Sequence, residues 1–113
     1  MHTVLSRDEL GRSGTAPLFE GGEYGEIPLS FFWLSTLPGR GPSLHLHPYA
    51  EVFVLQQGQA TFTIGEDTQE LLGGQMVIVP ANTPHKFKNS GTEPLQMITI
   101  HPRPQVITQW LEE

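Results

Sequence analysis

The segment GRGPSLHLHPYAEVFVLQQG, residues 39–58, decides how the rest of this chain is read. Its two histidines, His45 and His47, are two positions apart. In an extended strand successive side chains alternate faces, so both imidazoles point the same way. Glu51 follows at an even offset, beyond a break at Pro48. Imidazole and carboxylate are donors that suit a divalent transition metal such as iron, manganese, nickel, copper or zinc, and the chain has no cysteine to compete. Two imidazoles at strand spacing cannot close a coordination sphere, and His85 is the candidate to complete it. Standing alone, a His-x-His pair with a distant third histidine is more often an unrelated surface set. Here the neighbouring residues argue the other way.

Those neighbours are turn formers at fixed offsets. Gly39 lies before the histidines and Gly58 after Glu51; downstream come Gly74, Pro80, His85 and Asn89. In this the sequence resembles the cupin family. The first cupin motif, G-x5-H-x-H-x3-E-x6-G, is met by Gly39, His45, His47, Glu51 and Gly58. The second, G-x5-P-x-G-x2-H-x3-N, is met by Gly74, Pro80, His85 and Asn89, with Asn82 standing where the family usually has glycine. Asparagine is among the few residues that tolerate a positive φ, so the turn is expected to survive the change. The resemblance implies an all-β, double-stranded β-helix (jelly-roll) barrel. It also implies one metal held by His45, His47, Glu51 and His85, and pairing into a homodimer.

Composition agrees with a small β-domain. The chain has 113 residues, enough for one domain with a single core. Its 12 glycines and 10 prolines fall between apolar runs, which suits many short strands joined by turns. A formal charge of −6 with no basic cluster would repel nucleic acid. No apolar run is long enough to span a bilayer, the first residues do not read as a secretory signal, and the absence of cysteine fits a reducing compartment. A cytoplasmic protein without a nucleic-acid or membrane partner is the expectation.

Residues 1–28 are expected to form an N-terminal arm with a short turn or helix (Ser6 and Glu9 fit a capping box) and an edge strand. Residues 29–101 carry the barrel, with strands expected at 29–37, 44–47, 51–57, 60–64, 69–72, 75–79, 85–89 and 95–101. The tail, 102–113, places Val106, Ile107, Trp110 and Leu111 on one stripe after Pro104, which predicts a short C-terminal helix packed on the barrel or on a second subunit.

Strand parity extends the site. If His45, His47 and Glu51 face inward, Phe53 and Leu55 do so too, as does Phe62 on the next strand and Phe87 beyond His85. A mainly apolar sleeve follows, with Trp33 as a further lining candidate, Arg40 at the mouth to meet an anionic ligand, and Tyr49 as a hydrogen-bond partner to the metal ligands. His101 and His2 are expected to be exposed and without a role. Such a pocket suits a small molecule chelating the metal through oxygens, with oxygenase-type chemistry as the leading reading. A non-catalytic binding or sensing module, a cupin isomerase and a metal-stiffened structural barrel stay open, because fold does not fix function.

Overall fold

The computed structural model describes residues 2–113. Its strands are β1 (Gly11–Ser13), β2 (Ala16–Glu20), β3 (Ser30–Thr36), β4 (His45–Leu46), β5 (Glu51–Gln57), β6 (Gln59–Ile64), β7 (Asp67–Leu72), β8 (Met76–Val79), β9 (His85–Asn89), β10 (Leu95–His101) and β11 (Gln109–Trp110). They form two antiparallel sheets, ordered β1-β2-β3-β10-β5-β8 and β11-β4-β9-β6-β7. The architecture is the double-stranded β-helix that the resemblance implied. No helix among the described residues is long and apolar enough to cross a membrane.

Alternation along the strands builds the core. In β5 Glu51, Phe53 and Leu55 are buried while Val52 and Val54 turn outward. In β10 Leu95, Met97, Thr99 and His101 are the buried set. Phe53, Leu55, Ala60, Phe62, Leu71, Val79, Phe87, Leu95 and Met97 form one cluster between the sheets. Phe53 meets Phe62 edge-on at 5.0 Å between ring centroids, a favoured aromatic geometry.

Two turn positions explain the glycine pattern physically. Gly58, at φ 103°, joins β5 to β6, and a Cβ there would sit 3.1 Å from the Leu95 Cα. Asn82 does adopt φ 59°, so it makes the left-handed turn that glycine usually provides. Its N–H bonds the His47 carbonyl at 2.7 Å, which ties the turn before His85 to the strand end carrying His47.

The ends of the chain differ from expectation in one respect and add detail in another. Residues 102–113 contain no helix; the chain bends at 102–105, and β11 then pairs with β4, Trp110 opposite His45. A two-turn helix is marginal in water, and here its backbone groups have better partners. Val106 N–H bonds the Glu20 carboxylate, Ile107 uses both its N–H and its carbonyl on side chains of the barrel, and Leu111 N–H bonds the Leu44 carbonyl. At the other end, Ser6 N–H bonds Glu9 Oε1 at 3.0 Å and Arg7–Glu9 form one 3-10 turn. Within the arm of residues 1–28, β1 and β2 form a hairpin, and the pairing of β2 with β3 lengthens the first sheet.

Candidate metal centre

The four ligand candidates come from both sheets and meet at one end of the barrel. His45 in β4 and His85 in β9 are direct partners across the strand pair. His47 directly follows β4, and Glu51 opens β5 in the facing sheet. All four are buried, and one donor atom from each lies within 4.8 Å of the other three. Parity along β4 and strand pairing between the two histidine motifs are what bring them together.

The hydrogen bonds behind the rings decide which atoms face inward. Nδ1 of His45 lies 2.7 Å from the Ser43 carbonyl, Nδ1 of His47 2.7 Å from the Ile107 carbonyl, and Nδ1 of His85 2.8 Å from the Thr83 carbonyl. A carbonyl only accepts, so each Nδ1 carries the proton and donates it. Each Nε2 then presents a lone pair toward Glu51. Oε1 of that carboxylate stands 3.0 Å from Nε2 of both His47 and His85. The contact with His47 lacks hydrogen-bond geometry, and His47 Nε2 is, among the described residues, the buried side-chain polar atom without a hydrogen-bond partner. Three inward lone pairs and an anionic oxygen are acceptors crowded on acceptors. A divalent cation at their centre would satisfy all four, so the donor set fits a metal.

Electrostatics follow from burial. Burial pushes His45 down to about 4 from the usual 6.5, so its lone pair stays available in mildly acidic solution. Burial alone would raise the Glu51 carboxyl, but the hydrogen bond from His101 leads the effects that outweigh it and hold the group well below the usual carboxylate range. Both shifts act in one direction on the metal-free protein. Between pH 6.5 and about 4 the unfolded chain takes up a proton on His45 that the folded chain refuses, so stability falls as pH drops through that window. The thermal midpoint of metal-free protein should therefore decline from pH 7 to 4.5, with a shallower decline in His45→Asn. Equal slopes in the two proteins would refute this account of His45.

The sequence reading overlooked His101. Far from being exposed, it is 1% accessible, with Nε2 3.1 Å from Glu51 Oε2 and Nδ1 2.7 Å from the Tyr49 hydroxyl. Proline after the last strand suggested a solvent-facing end. The usable signal was parity, since Leu95, Met97, Thr99 and His101 share the inward face of β10. Tyr49 reaches the ligands through His101, and its hydroxyl also accepts the Ile107 N–H at 3.2 Å. Burial, only partly offset by that N–H, pushes the phenol up to about 12, so it remains a donor at neutral pH.

A cavity of about 1370 Å³ opens in front of the ligands, and His45, His47 and Glu51 line it with Phe53, Phe87 and Arg40. The other lining candidates lie elsewhere. Leu55 and Phe62 sit deeper in the core, and Tyr49 stands behind the ligands. Trp33 lines a separate hollow with Leu5, Leu10, Phe19, Tyr24 and Phe31 on the opposite side of its sheet, because β3 turns Phe32 and Leu34 rather than Trp33 toward the cavity. The mouth is also more charged than parity implied. The β1–β2 hairpin brings Arg12 and Glu20 to it, and Arg7 and Asp8 come from the turn before. Trp110 of β11 closes one side, its ring 4.9 Å from that of His45.

The Arabidopsis thaliana auxin-binding protein 1 is 30% identical over 114 aligned positions, which cover 90% of this chain and 57% of that protein. Auxin-binding protein 4 of Zea mays is 32% identical over 66% of this chain and 42% of its own length. The chain thus spans about half the length of these relatives. Among solved structures, a double-stranded β-helix protein from Klebsiella pneumoniae superposes with a TM-score of 0.76 at 20% identity, covering 97% of this chain and 92% of that one. Oxalate decarboxylase from Bacillus subtilis gives 0.76 at 21% identity, covering 85% of this chain and 27% of the enzyme. The family model for the cupin domain matches residues 32–101, from β3 through His101, and the chain belongs to that family.

Proposed function

We propose that this protein is a metal-dependent cupin acting on a small oxygen-chelating molecule, with oxygenase-type chemistry the favoured reaction class. The observation that carries the reading is the convergence of one donor atom each from His45, His47, Glu51 and His85 within 4.8 Å of one another, beside an open cavity that the first three line. Four protein ligands leave one or two positions of a five- or six-coordinate metal facing that cavity, and an open position is what a catalytic site needs. A metal bound there would act as a Lewis acid on a chelating oxygen and, if redox-active, would carry electrons between substrate and oxygen. The chain's own residues do the rest: Phe53 and Phe87 exclude water beside the ligands, while Arg40 and Arg12 at the mouth favour a ligand with a carboxylate.

Iron, manganese, nickel, copper and zinc all accept this donor set. The likeness to oxalate decarboxylase, a structure described with Mn(II) centres, makes manganese the first metal to try. Elemental analysis of purified protein should find about one redox-active metal per chain. Oxygen uptake or turnover should then appear with a small hydroxy acid or diphenol. Stoichiometric redox metal without turnover of any such compound would sink the oxygenase reading. Tight ligand binding in that case would favour the second reading, a binding or sensing module, which the names of the auxin-binding relatives support. For location we propose the cytoplasm, supported by the lack of cysteine.

The homodimer is part of the same proposal. On the outer face of the first sheet, Trp33, Ile98, Val54 and Met76 form one cross-strand row, and Phe31, Ile100, Val52 and Ile78 the next. Met76 and Ile78 lie on the edge strand and are 54% and 62% exposed. A contiguous apolar patch beside an open edge is what a second copy would cover. Sedimentation at micromolar concentration should show a dimer that Ile78→Glu weakens. A wild-type monomer throughout would remove the idea.

A further inference from the structure

We propose that His101 and Tyr49 are positioning residues that hold Glu51 as a one-oxygen ligand. The inference rests on the reading that His45, His47, Glu51 and His85 hold a metal, and concerns how the carboxylate is presented to it.

The argument starts from a donor that cannot be reversed. The Ile107 backbone amide points at the Tyr49 hydroxyl, 3.2 Å away, and an amide N–H only donates. The phenol oxygen therefore accepts there and places its own proton elsewhere. His101 Nδ1 lies 2.7 Å from it and takes that proton's hydrogen bond. Nδ1 is then the acceptor nitrogen of the ring, so Nε2 carries the imidazole proton. It points at Glu51 Oε2 at 3.1 Å, with the Thr99 hydroxyl a longer neighbour at 3.4 Å. The chain runs one way, from Ile107 through Tyr49 and His101 to the carboxylate.

The consequence is a division of labour between two oxygens of one side chain. Oε1 faces Nε2 of His47 and His85, both at 3.0 Å, on the side where the metal ligands converge. Oε2 is already bonded to His101. Swinging Oε2 onto the metal would break the His101 bond and strand a buried N–H, which is costly where water cannot replace the partner. The ring has little freedom to follow. Phe32 packs against His101 with centroids 5.5 Å apart, His47 meets it edge-on at 4.8 Å, and Arg103 lies over the outer face of Tyr49 at 5.6 Å. Holding Glu51 to one oxygen keeps an extra coordination position for a ligand entering from the cavity. In the three histidines the corresponding partners are backbone carbonyls; for Glu51 the device is built from side chains and can be tested by substitution.

Mn(II) is the probe, added to metal-free wild type, His101→Leu, His101→Gln and Tyr49→Phe. Affinity is read by competition titration, ligand arrangement by the Mn(II) paramagnetic resonance fine structure, and folding by the metal-free thermal midpoint. His101→Leu should weaken Mn(II) by about 10–100-fold, the usual cost of losing a partner of a metal ligand, and should change the fine structure. His101→Gln offers an amide N–H to Oε2 and should recover much of both. Tyr49→Phe, nearly isosteric, should lose less than tenfold yet still alter the spectrum, since it frees the tautomer of His101. Unchanged affinity and fine structure in His101→Leu and Tyr49→Phe would overturn the proposal, as would equal losses in the Leu and Gln variants that track a lowered midpoint. If His101→Leu fails to fold, the Gln and Phe variants decide by the same two readouts. Failure of wild type itself to bind Mn(II) or any other divalent metal would instead strike the four-ligand reading, and this inference with it.

Discussion

Replacing His47 with alanine should abolish stoichiometric metal while leaving the metal-free fold nearly as stable as before. The ring supplies one of three inward nitrogens, and its Nε2 has no protein hydrogen bond to lose. Truncation forfeits the bond from Nδ1 to the Ile107 carbonyl, worth about 0.5–1.5 kcal/mol net. Affinity should fall by more than the ~100-fold that marks loss of an outer partner, because a ligand itself is gone. Glu51→Ala makes the informative contrast. It should also empty the centre, but it strands the buried His101 N–H at 3.1 Å and adds about 1–3 kcal/mol of destabilisation to the metal-free protein. A metal at about a thousand times its dissociation constant stabilises the fold by ~4 kcal/mol, so wild type should show a metal-dependent melting shift that both variants lack. Elemental analysis beside thermal melts reads all of this. A His47→Ala protein with full metal content would overturn the assignment.

The parts of the molecule readable from sequence share a physical cause, and so do those that were not. Strands β3 to β10 are fixed by local alternation and turn chemistry, and Asn82 could be placed in a left-handed turn because few residues tolerate one. His45, His47, Glu51 and His85 were legible because the donors themselves have fixed spacing. The supporting groups have no such spacing. His101 lies 50 positions from Glu51 and meets it only because β10 and β5 are neighbours in the sheet. Its role follows from parity along β10 once the pairing is known, and local composition at Pro102 pointed the wrong way. The tail failed for a related reason. The apolar stripe at Val106, Ile107, Trp110 and Leu111 has helical spacing, yet the open edge of β4 offered the backbone a better use. Trp33 shows the limit of composition alone, since a bulky aromatic at a strand centre carries no mark of which face it takes.

Removing residues 105–113 should cost most of the metal affinity and little of the barrel. None of the core cluster between the sheets comes from this segment, so cooperative folding should persist. The centre, by contrast, draws support from it at three points. The Ile107 carbonyl fixes the His47 ring, the Ile107 N–H feeds Tyr49 and through it Glu51, and Trp110 pairs with His45 by backbone and by ring contact. Each hydrogen-bonded partner typically accounts for 10–100-fold in metal affinity, and losing the two that Ile107 supplies should by itself weaken binding by roughly 100-fold or more. A gentler variant separates the contributions. Ile107→Pro deletes the N–H and keeps the carbonyl, so the hold on the Tyr49 hydroxyl loosens while the His47 support stays, and a loss of less than about tenfold is expected. Trp110→Ala keeps the backbone route and should chiefly open the cavity wall. If the shortened chain binds metal as tightly as the full one, the tail is only a cover for the β4 edge. If metal and fold are lost together, the tail belongs to the barrel's stability. Loss of affinity with the melt of the metal-free protein intact would establish the tail as the outer support of the metal centre.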